Sequence, residues 1–246
     1  MCSRYQAIKE AEWLRHFFGV EPGDGVLQGE MWPLYLGPFI RRDNDALEAQ
    51  QRLFGVGMFG MQRPHNKAAD MAKQTYNART ETVAEKVTFK PSWEKGRRCI
   101  IPAAWICEPA YDNPAGKAEW WKIGNADGTP LGIAGLWNQW RSDRGGTWFT
   151  FTMLTVAAAD HQVMGRFHGD RPEDKRMVVI LEPAEYDRWL DCPVDQQMGM
   201  MRQYPAELLA TEPAPALPPR AKKVVKPKAL VRENAPPADD GQQGLF

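Results

Sequence analysis

Strand-forming segments dominate the body of this chain and constrain its fold more than any other feature. GTPLGIAGLWNQW (128–140) and TWFTFTMLTVAA (147–158) are rich in β-branched and aromatic residues, a composition typical of sheet strands. EAQQRLFGVGMFG (48–60) indicates a strand interrupted by glycines, and RMVVIL (176–181) indicates a compact buried strand. Because the expected helices are short and do not alternate with the strands as in βαβ units, the chain is expected to adopt an α+β fold.

Three shorter patterns complete the expected elements. The apolar run Cys99–Ile101, followed by Pro102, predicts a buried strand that ends in a turn. EPAEYDRWLD (182–191) predicts a helix with Glu182 and Pro183 at its start. QAIKEAEWLRHFFGV (6–20) predicts a short amphipathic helix whose buried face comprises Ala7, Ala11, Leu14, Phe17 and Phe18.

Length and composition indicate a soluble protein. The chain has 246 residues, enough for one large domain or two small ones, with 43% hydrophobic and 25% charged residues. No apolar run approaches the ~20 residues of a membrane span, and the start does not have the pattern of a signal peptide. The four cysteines form no C-x-x-C pair, so we expect no metal, cofactor or disulfide, and a reducing cytoplasm as the location.

Proline, lysine and arginine become frequent near the C-terminus, and charge is unevenly divided. From Pro213 onward there are six basic and three acidic residues, against 25 basic and 28 acidic residues before it. Few large apolar residues are present there, so residues 211–246 are predicted to be a disordered tail and residues 1–210 the globular domain. The slightly acidic domain argues against non-specific binding of duplex DNA, which needs many phosphate contacts.

Cysteine at the second position raises the possibility of an N-terminal nucleophile. The chain opens MCSRYQ, and Met1 is commonly removed when the next residue is small. Its removal would leave Cys2 with an amine and a thiol on neighbouring carbons, which titrate at roughly 7.7–8.0 and 8.5. This pair can add to an aldehyde as a Schiff base and then close a five-membered thiazolidine ring. A small second residue without any function is the alternative interpretation.

Several polar residues do not suit a plain core. In TYNARTET, Asn77, Arg79 and Glu81 alternate and are predicted to share one face of a strand, which could equally be a solvated face. Glu108 ends an apolar strand, where it could cap a turn or lie in a pocket that raises its pKa for acid–base work. His168 lies in a charged loop, GRFHGDRPEDKRM, and could be a solvated bystander or an acid–base group.

Four motifs in order carry a family resemblance across roughly residues 1–195. They are MCSRY, YNARTET, RRCIIPAAWICEP and FHGDRPEDKRMVVIL. In these motifs the chain resembles the SOS response-associated peptidase (SRAP) family, the abasic-site processing proteins. The resemblance implies curved β-sheets that form a barrel-like core with short flanking helices. It also implies a protein that binds single-stranded DNA and forms a thiazolidine crosslink with the ring-opened aldehyde of an abasic site.

The resemblance further implies roles for individual residues. Cys2 matches the crosslinking nucleophile, and Asn77 matches the asparagine that positions it. Glu108 matches the acid that assists amine addition and proton transfer, and His168 matches the histidine that acts on the sugar hydroxyl. Met1 is expected to be lost, either to an aminopeptidase or by self-cleavage. The cationic positions expected to contact DNA phosphates are Arg4, Arg79 and Arg176.

The chain departs from the family pattern at four places, and the first is Ser3, which replaces the usual glycine. Phe59 stands where a tryptophan is common, and Gln62 and Arg63 interrupt the apolar run that follows. Pro109 follows Glu108 where many relatives have tryptophan. The loop between His168 and Arg176 is expanded.

The last five residues, QQGLF, suggest a second interaction. Gln242, Leu245 and Phe246 match the pentapeptide that binds the bacterial sliding clamp, Q-L-[SD]-L-F, while Gln243 and Gly244 do not. The sequence therefore predicts a monomeric cytoplasmic protein that meets the nucleoid while acting, with single-stranded DNA and a clamp as partners. Two alternatives stay open: a non-catalytic single-strand binder tethered to the clamp, and an amide hydrolase that uses Cys2 as nucleophile.

Overall fold

A computed structural model of the chain describes residues 1–23, 29–42, 51–63, 71–112, 116–142 and 145–214. The predicted tail, including the clamp-like residues Gln242, Leu245 and Phe246, lies outside the described residues apart from its first four positions. Within the described part, no helix is long and apolar enough to cross a membrane.

The described residues contain twelve strands and four short α-helices. The strands are β1 (Arg4–Ala7), β2 (Glu30–Met31), β3 (Leu36–Arg42), β4 (Arg52–Phe59), β5 (Asn77–Arg79), β6 (Arg98–Ala110), β7 (Glu119–Asn125), β8 (Leu131–Arg141), β9 (Thr147–Ala157), β10 (Arg176–Val178), β11 (Ile180–Leu181) and β12 (Leu209–Pro213). The α-helices are α1 (Ala11–Trp13), α2 (Ala72–Thr75), α3 (Lys90–Glu94) and α4 (Tyr186–Asp191). A π-helix spans Leu14–Phe18, and 3₁₀ turns span Met164–Arg166, Pro172–Asp174, Pro183–Glu185, Gln197–Met200 and Ala206–Leu208.

Five strands close into a barrel in the order β8, β9, β4, β3 and β6, because β6 also pairs with β8. All these pairings are antiparallel except that of β4 with β9. The other strands extend the sheet: β1 and β7 on β6, β5 and β10 on β9, and β11 on β8. The predicted α+β fold, with a barrel-like sheet and short flanking helices, is confirmed.

Aromatic rings fill the barrel. Phe39, Phe59 and Phe151 have no exposed surface, and ring centroids lie 5.8 Å apart for Phe39 and Phe151 and 5.5 Å apart for Phe59 and Phe151. Burying a side chain of this size contributes about 1.5–3 kcal/mol. The glycines of β4 make room for them, since a Cβ added at Gly55 would lie 2.9 Å from the Phe39 ring.

Two strand predictions were wrong in detail. β6 does not end at Pro102 but continues to Ala110. The pairing of β1 with β6 shifts register between Gln6 and Ala7, and irregular pairing of this kind tolerates a proline in a strand. RMVVIL is not one strand, because the chain crosses at Val179 from its pairing with β9 to its pairing with β8.

The first predicted helix was wrong at its start, and the helix predicted near the end of the domain is confirmed. Ala7 belongs to β1 rather than to the first helix, which begins at Ala11 and widens into the π-helix. Its apolar face still packs as expected, with Leu14 and Phe18 fully buried. The helix at 182–191 is confirmed, and reciprocal hydrogen bonds between Glu182 and Glu185 form a capping box at its start.

The edge of the globular part lies slightly beyond the predicted boundary. β12 continues through residues 211–213, which the sequence had assigned to the tail, and pairs antiparallel with β7. The strand forms because its main chain completes the hydrogen bonding of β7, a contribution that proline-rich composition does not reveal.

Candidate active site

Four segments that are distant in sequence bring the predicted catalytic residues together. Cys2 lies just before β1, and Asn77 begins β5. Glu108 lies near the end of β6, and His168 follows the 3₁₀ turn at 164–166. All four side chains are buried, with exposures of 1% for Cys2 and Glu108, 6% for Asn77 and 7% for His168. The four side chains therefore form a buried cluster at the start of the chain.

Asn77 holds the main chain of Cys2 in place. Its Nδ2 donates a 2.6 Å hydrogen bond to the Cys2 carbonyl, and the thiol of Cys2 lies 3.5 Å from the carbonyl of Arg4. The Oδ1 of Asn77 is buried and accepts no hydrogen bond from the described residues. An orphaned acceptor of this kind costs free energy, so it is suited to a donor that arrives with a substrate or with a newly formed amine.

Glu108 is a carboxyl group that can be either protonated or ionised near neutral pH. Burial raises its pKa from 4.5 to about 7, and the nearby positive charge of the Met1 amino group and a hydrogen bond with the Cys2 thiol oppose that rise. Its Oε2 lies 3.4 Å from Nε2 of His168. Both the acid and the carboxylate are consequently populated at neutral pH, as proton transfer in both directions requires.

His168 faces the amino terminus. The Met1 amino group lies 2.9 Å from Nδ1 and 3.4 Å from Nε2 of the ring. Burial, together with the positive charge of the amino terminus, lowers the pKa of His168 to about 4. The imidazole is therefore neutral at pH 7 and can accept a proton. Its backbone is in the left-handed region, with φ of +68°, a conformation uncommon for residues other than glycine.

Hydrogen bonds and an ion pair hold the expanded loop after His168 in place. The Lys175 ammonium donates a 2.6 Å hydrogen bond to the carbonyl of Gly165, and the main-chain N–H of His168 donates to the carbonyl of Pro109 at 2.8 Å. Arg176 forms a fork on Glu81, with two contacts of 2.8 Å. These bonds flank the histidine on both sides and hold it over Glu108 despite the longer loop.

The surroundings of the Cys2 thiol keep it protonated. Burial raises its pKa well above the ordinary value, and the negative charge of Glu108 raises it further. At neutral pH the group is an S–H, so it needs a base before it can attack, and Glu108 is the base in contact with it. The described residues contain no cluster of three His, Cys, Asp or Glu side chains that could hold a metal ion.

The three predicted DNA-contacting arginines have different surroundings. Arg79 is exposed at the end of β5. Arg4 is only 1% exposed, is paired with Glu30, and lies between the rings of Trp32 and Trp105. Arg176 is 5% exposed and paired with Glu81, as described above. The prediction that Asn77, Arg79 and Glu81 share a strand face was wrong, because β5 ends at Arg79 and the chain turns before Glu81.

Sequence reasoning missed two aromatic residues beside the site. Tyr76 directly precedes Asn77, and burial together with the charges of Cys2 and Glu108 raises the pKa of its phenol. Trp121 on β7 stands directly opposite Glu108 in the sheet register. The position of Tyr76 immediately before Asn77 was an available signal, whereas pairing between β6 and β7 could not be read from the sequence.

The departure at Phe59 has a structural explanation. Its ring is fully buried and packs edge-on against Tyr5, with centroids 5.3 Å apart. Farther along, the main chain of Gln62 donates to Thr150, and Arg63 donates to Thr88. This stretch is thus bonded to the body of the fold, and Phe59 itself has no surface to offer a ligand.

The protein has a β-barrel and an N-terminal cysteine that is surrounded by an asparagine, a glutamate and a histidine. These features define a class of proteins whose candidate site contains the first residues of the chain. The chain belongs to the SOS response associated peptidase (SRAP) family, whose model matches residues 1–216.

Relatives share both sequence and fold. The abasic site processing protein YoqW of Bacillus subtilis (strain 168) is 26% identical over 212 residues, 84% of this chain and 89% of YoqW. The abasic site processing protein HMCES of Gallus gallus is 25% identical over 202 residues, 71% of this chain and 55% of HMCES. A Bordetella bronchiseptica protein of known crystal structure has a TM-score of 0.78 and 38% identity, covering 87% of this chain and all of that one.

Proposed function

We propose that this chain processes abasic sites in single-stranded DNA by forming a covalent thiazolidine link through Cys2. The observation that carries the proposal is the convergence of Asn77, Glu108 and His168 on the first two residues of the chain. The names of the relatives, abasic site processing proteins, support the substrate class. DNA damage repair is therefore the proposed setting.

The first step is hydrolysis of the bond between Met1 and Cys2, by an aminopeptidase or by the chain itself. It leaves the amine of Cys2 close to the groups that now surround the Met1 amino group. The orphaned Oδ1 of Asn77 is then available to accept a hydrogen bond from that amine. The bond from Nδ2 to the Cys2 carbonyl keeps the residue in register while its amino group changes.

The second step opens the abasic sugar. A neutral imidazole can take the proton of the anomeric hydroxyl while a proton is returned to the ring oxygen, and the ring carbon–oxygen bond breaks to give an aldehyde. His168 suits this role because its lowered pKa keeps it neutral at pH 7.

The third step forms the ring. The Cys2 amine adds to the aldehyde to give a carbinolamine, and Glu108 in its acid form protonates the departing hydroxyl, which releases water and leaves an iminium ion. The carboxylate then takes the thiol proton, and sulfur attacks the iminium carbon to close the thiazolidine. Glu108 ends as it began, which explains the use of a group with a pKa near 7.

Intact mass measurement tests the function directly. The purified protein is incubated with a single-stranded oligonucleotide that carries one abasic site, and with a matched strand that carries a tetrahydrofuran in its place. We expect a mass for the free protein that lacks Met1, and an adduct of protein plus oligonucleotide minus one water with the abasic strand alone. Active protein that retains Met1, or the absence of any adduct, would contradict the mechanism.

The same experiment separates the two alternatives. A non-catalytic binder would bind both strands and form no adduct with either. An amide hydrolase that uses Cys2 would cleave amide substrates beyond its own first bond and would show no preference for abasic DNA. Arg79, the exposed arginine beside Asn77, is proposed to contact a phosphate under the favoured function, and Arg4 and Arg176 are proposed to do so after releasing their carboxylate partners.

A contact between QQGLF and the bacterial sliding clamp is proposed from the sequence alone. Burying Leu245 and Phe246 could contribute about 1.5–3 kcal/mol for each side chain before the costs of association. We expect a peptide of residues 232–246 to bind the clamp in an anisotropy titration. A matched peptide with Leu245→Ala and Phe246→Ala should not bind. Equal binding of the two peptides, or no binding by either, would contradict the proposal without affecting the crosslinking mechanism.

A further inference from the structure

Trp121 brings an indole to the edge of the site from a neighbouring strand. It pairs directly with Glu108 across β6 and β7, and residues opposite each other in an antiparallel pair project from the same face of the sheet. Trp121 is half-buried, so part of its ring is accessible. Its neighbour across the strand, Glu108, is the central acid of the proposed mechanism. Trp121 therefore lies beside the buried cluster.

Arg166 lies over this indole. Its guanidinium carbon is 3.9 Å from the centroid of the Trp121 ring, closer than any other cation and ring pair among the described residues. Its Nε donates a 2.5 Å hydrogen bond to Asp112, and neither terminal nitrogen donates to another described residue. Contact with the indole and the bond to Asp112 thus restrain the guanidinium and leave the N–H groups of its terminal nitrogens for a ligand.

Arg166 also belongs to the segment that carries His168, two residues before it. Phe167, between them, forms a bridge with Ala110 at the end of β6. The main chain of this segment is fixed further by the bond from His168 to Pro109. The side chain of Arg166 is 37% exposed, so it is accessible to solvent next to the segment that holds the buried His168.

We infer that the Arg166 fork, held on Trp121 and Asp112, binds a backbone phosphate of the DNA strand next to the abasic nucleotide. This inference rests on the proposed function. A guanidinium presents parallel donors that match the oxygens of a phosphate, and a fork that is already restrained loses less rotamer freedom when it binds. The contact sets the position of the strand relative to Glu108 and His168, so Arg166 serves the reaction by holding its substrate.

The test uses a DNA strand that cannot react. A labelled single strand with a tetrahydrofuran in place of the abasic sugar is titrated by fluorescence anisotropy at several salt concentrations. Arg166→Gln is expected to weaken binding about tenfold, as loss of a charge-assisted contact does. It should also flatten the plot of log affinity against log salt by about 0.7, the value for one phosphate of a single strand. Arg166→Lys keeps the charge but loses the fork, so it should weaken binding while retaining the slope.

Trp121→Leu distinguishes a fixed fork from a free charge. If the indole acts by orienting Arg166, this variant weakens binding on its own but adds nothing to Arg166→Gln in the double variant. Arg202→Gln is the matched control, because Arg202 is 49% exposed, pairs with Glu185 at 2.7 Å, and adjoins α4, which packs near the opposite end of β6. Arg79→Gln is measured alongside as the other exposed arginine near the site.

A salt slope for Arg166→Gln equal to those of the wild type and Arg202→Gln would overturn the inference. Fully additive losses for Arg166→Gln and Trp121→Leu would overturn the role of the indole. Both results are separable from failure of the proposed function, since the wild type is also tested with a genuine abasic strand. If that strand forms an adduct while the slope stays unchanged, only the phosphate contact is wrong.

Discussion

Cys2→Ser is expected to lose the heat-stable crosslink to abasic DNA while retaining an adduct that borohydride can trap. The substituted chain still has an N-terminal amine, so the Schiff base forms. It has no thiol, so the thiazolidine ring cannot close. Denaturing gels of the reaction, run before and after heating and with or without borohydride, measure the two species separately.

Cys107→Ser is the matched control for this substitution. Cys107 is a second buried cysteine, one residue before Glu108 on β6, and burial raises the pKa of its thiol to about 11. Because neighbouring residues on a strand point to opposite faces, its thiol lies on the face of the strand opposite to Glu108. Normal crosslinking is expected from Cys107→Ser. Heat-stable crosslinks at wild-type yield in Cys2→Ser would remove the thiol from the mechanism.

Much of the sheet was predictable because its strands bury one face or both. β8 and β9 have the alternation and β-branched content of barrel strands, and they occur where the sequence placed them. The wrong predictions concern segments whose extent depends on strand pairing rather than on amino-acid composition. Pro102 suggested a turn, yet β6 continues through it, because an irregular pairing with β1 and a second partner in β8 hold the chain extended.

The motifs named Cys2, Asn77, Glu108 and His168 but not their arrangement. The structure brings these four side chains together, and their roles stay a prediction. The burial of Arg4 and Arg176 was not foreseeable, because their carboxylate partners, Glu30 and Glu81, are distant in sequence and no pattern pairs them with these arginines. Likewise, the fork of Arg166 depends on the register of β6 with β7, which no local pattern specifies.

Glu108→Gln is expected to slow crosslinking by about 10² to 10⁴-fold, the range for loss of a general acid–base group. Glutamine preserves the size of the side chain and can neither give nor take the proton. In the wild type, the single-turnover rate should have a maximum near pH 7, because the acid form of Glu108 is needed to release water and its carboxylate is needed to take the thiol proton. This maximum should be absent from the variant. Single-turnover rates between pH 5.5 and 8.5, under saturating DNA, measure both effects.

The same substitution should stabilise the fold at high pH, and the sign follows from the pKa of Glu108. Its pKa is about 7 in the folded chain and about 4.5 when unfolded. Between these values the folded state holds a proton that the unfolded state has released, so stability falls as pH rises through this window. The loss is on the order of 3 kcal/mol and is complete above pH 7. Glutamine does not titrate, so the variant escapes this loss.

Urea unfolding of the wild type and of Glu108→Gln at pH 5 and pH 8 tests this consequence. The gain in unfolding free energy of Glu108→Gln over the wild type should be larger at pH 8 than at pH 5. A variant that crosslinks slowly and is also less stable at pH 8 would indicate that Glu108 holds the fold together. Slow crosslinking with increased stability would instead show that the buried carboxyl group is kept for its chemistry at a cost to the fold.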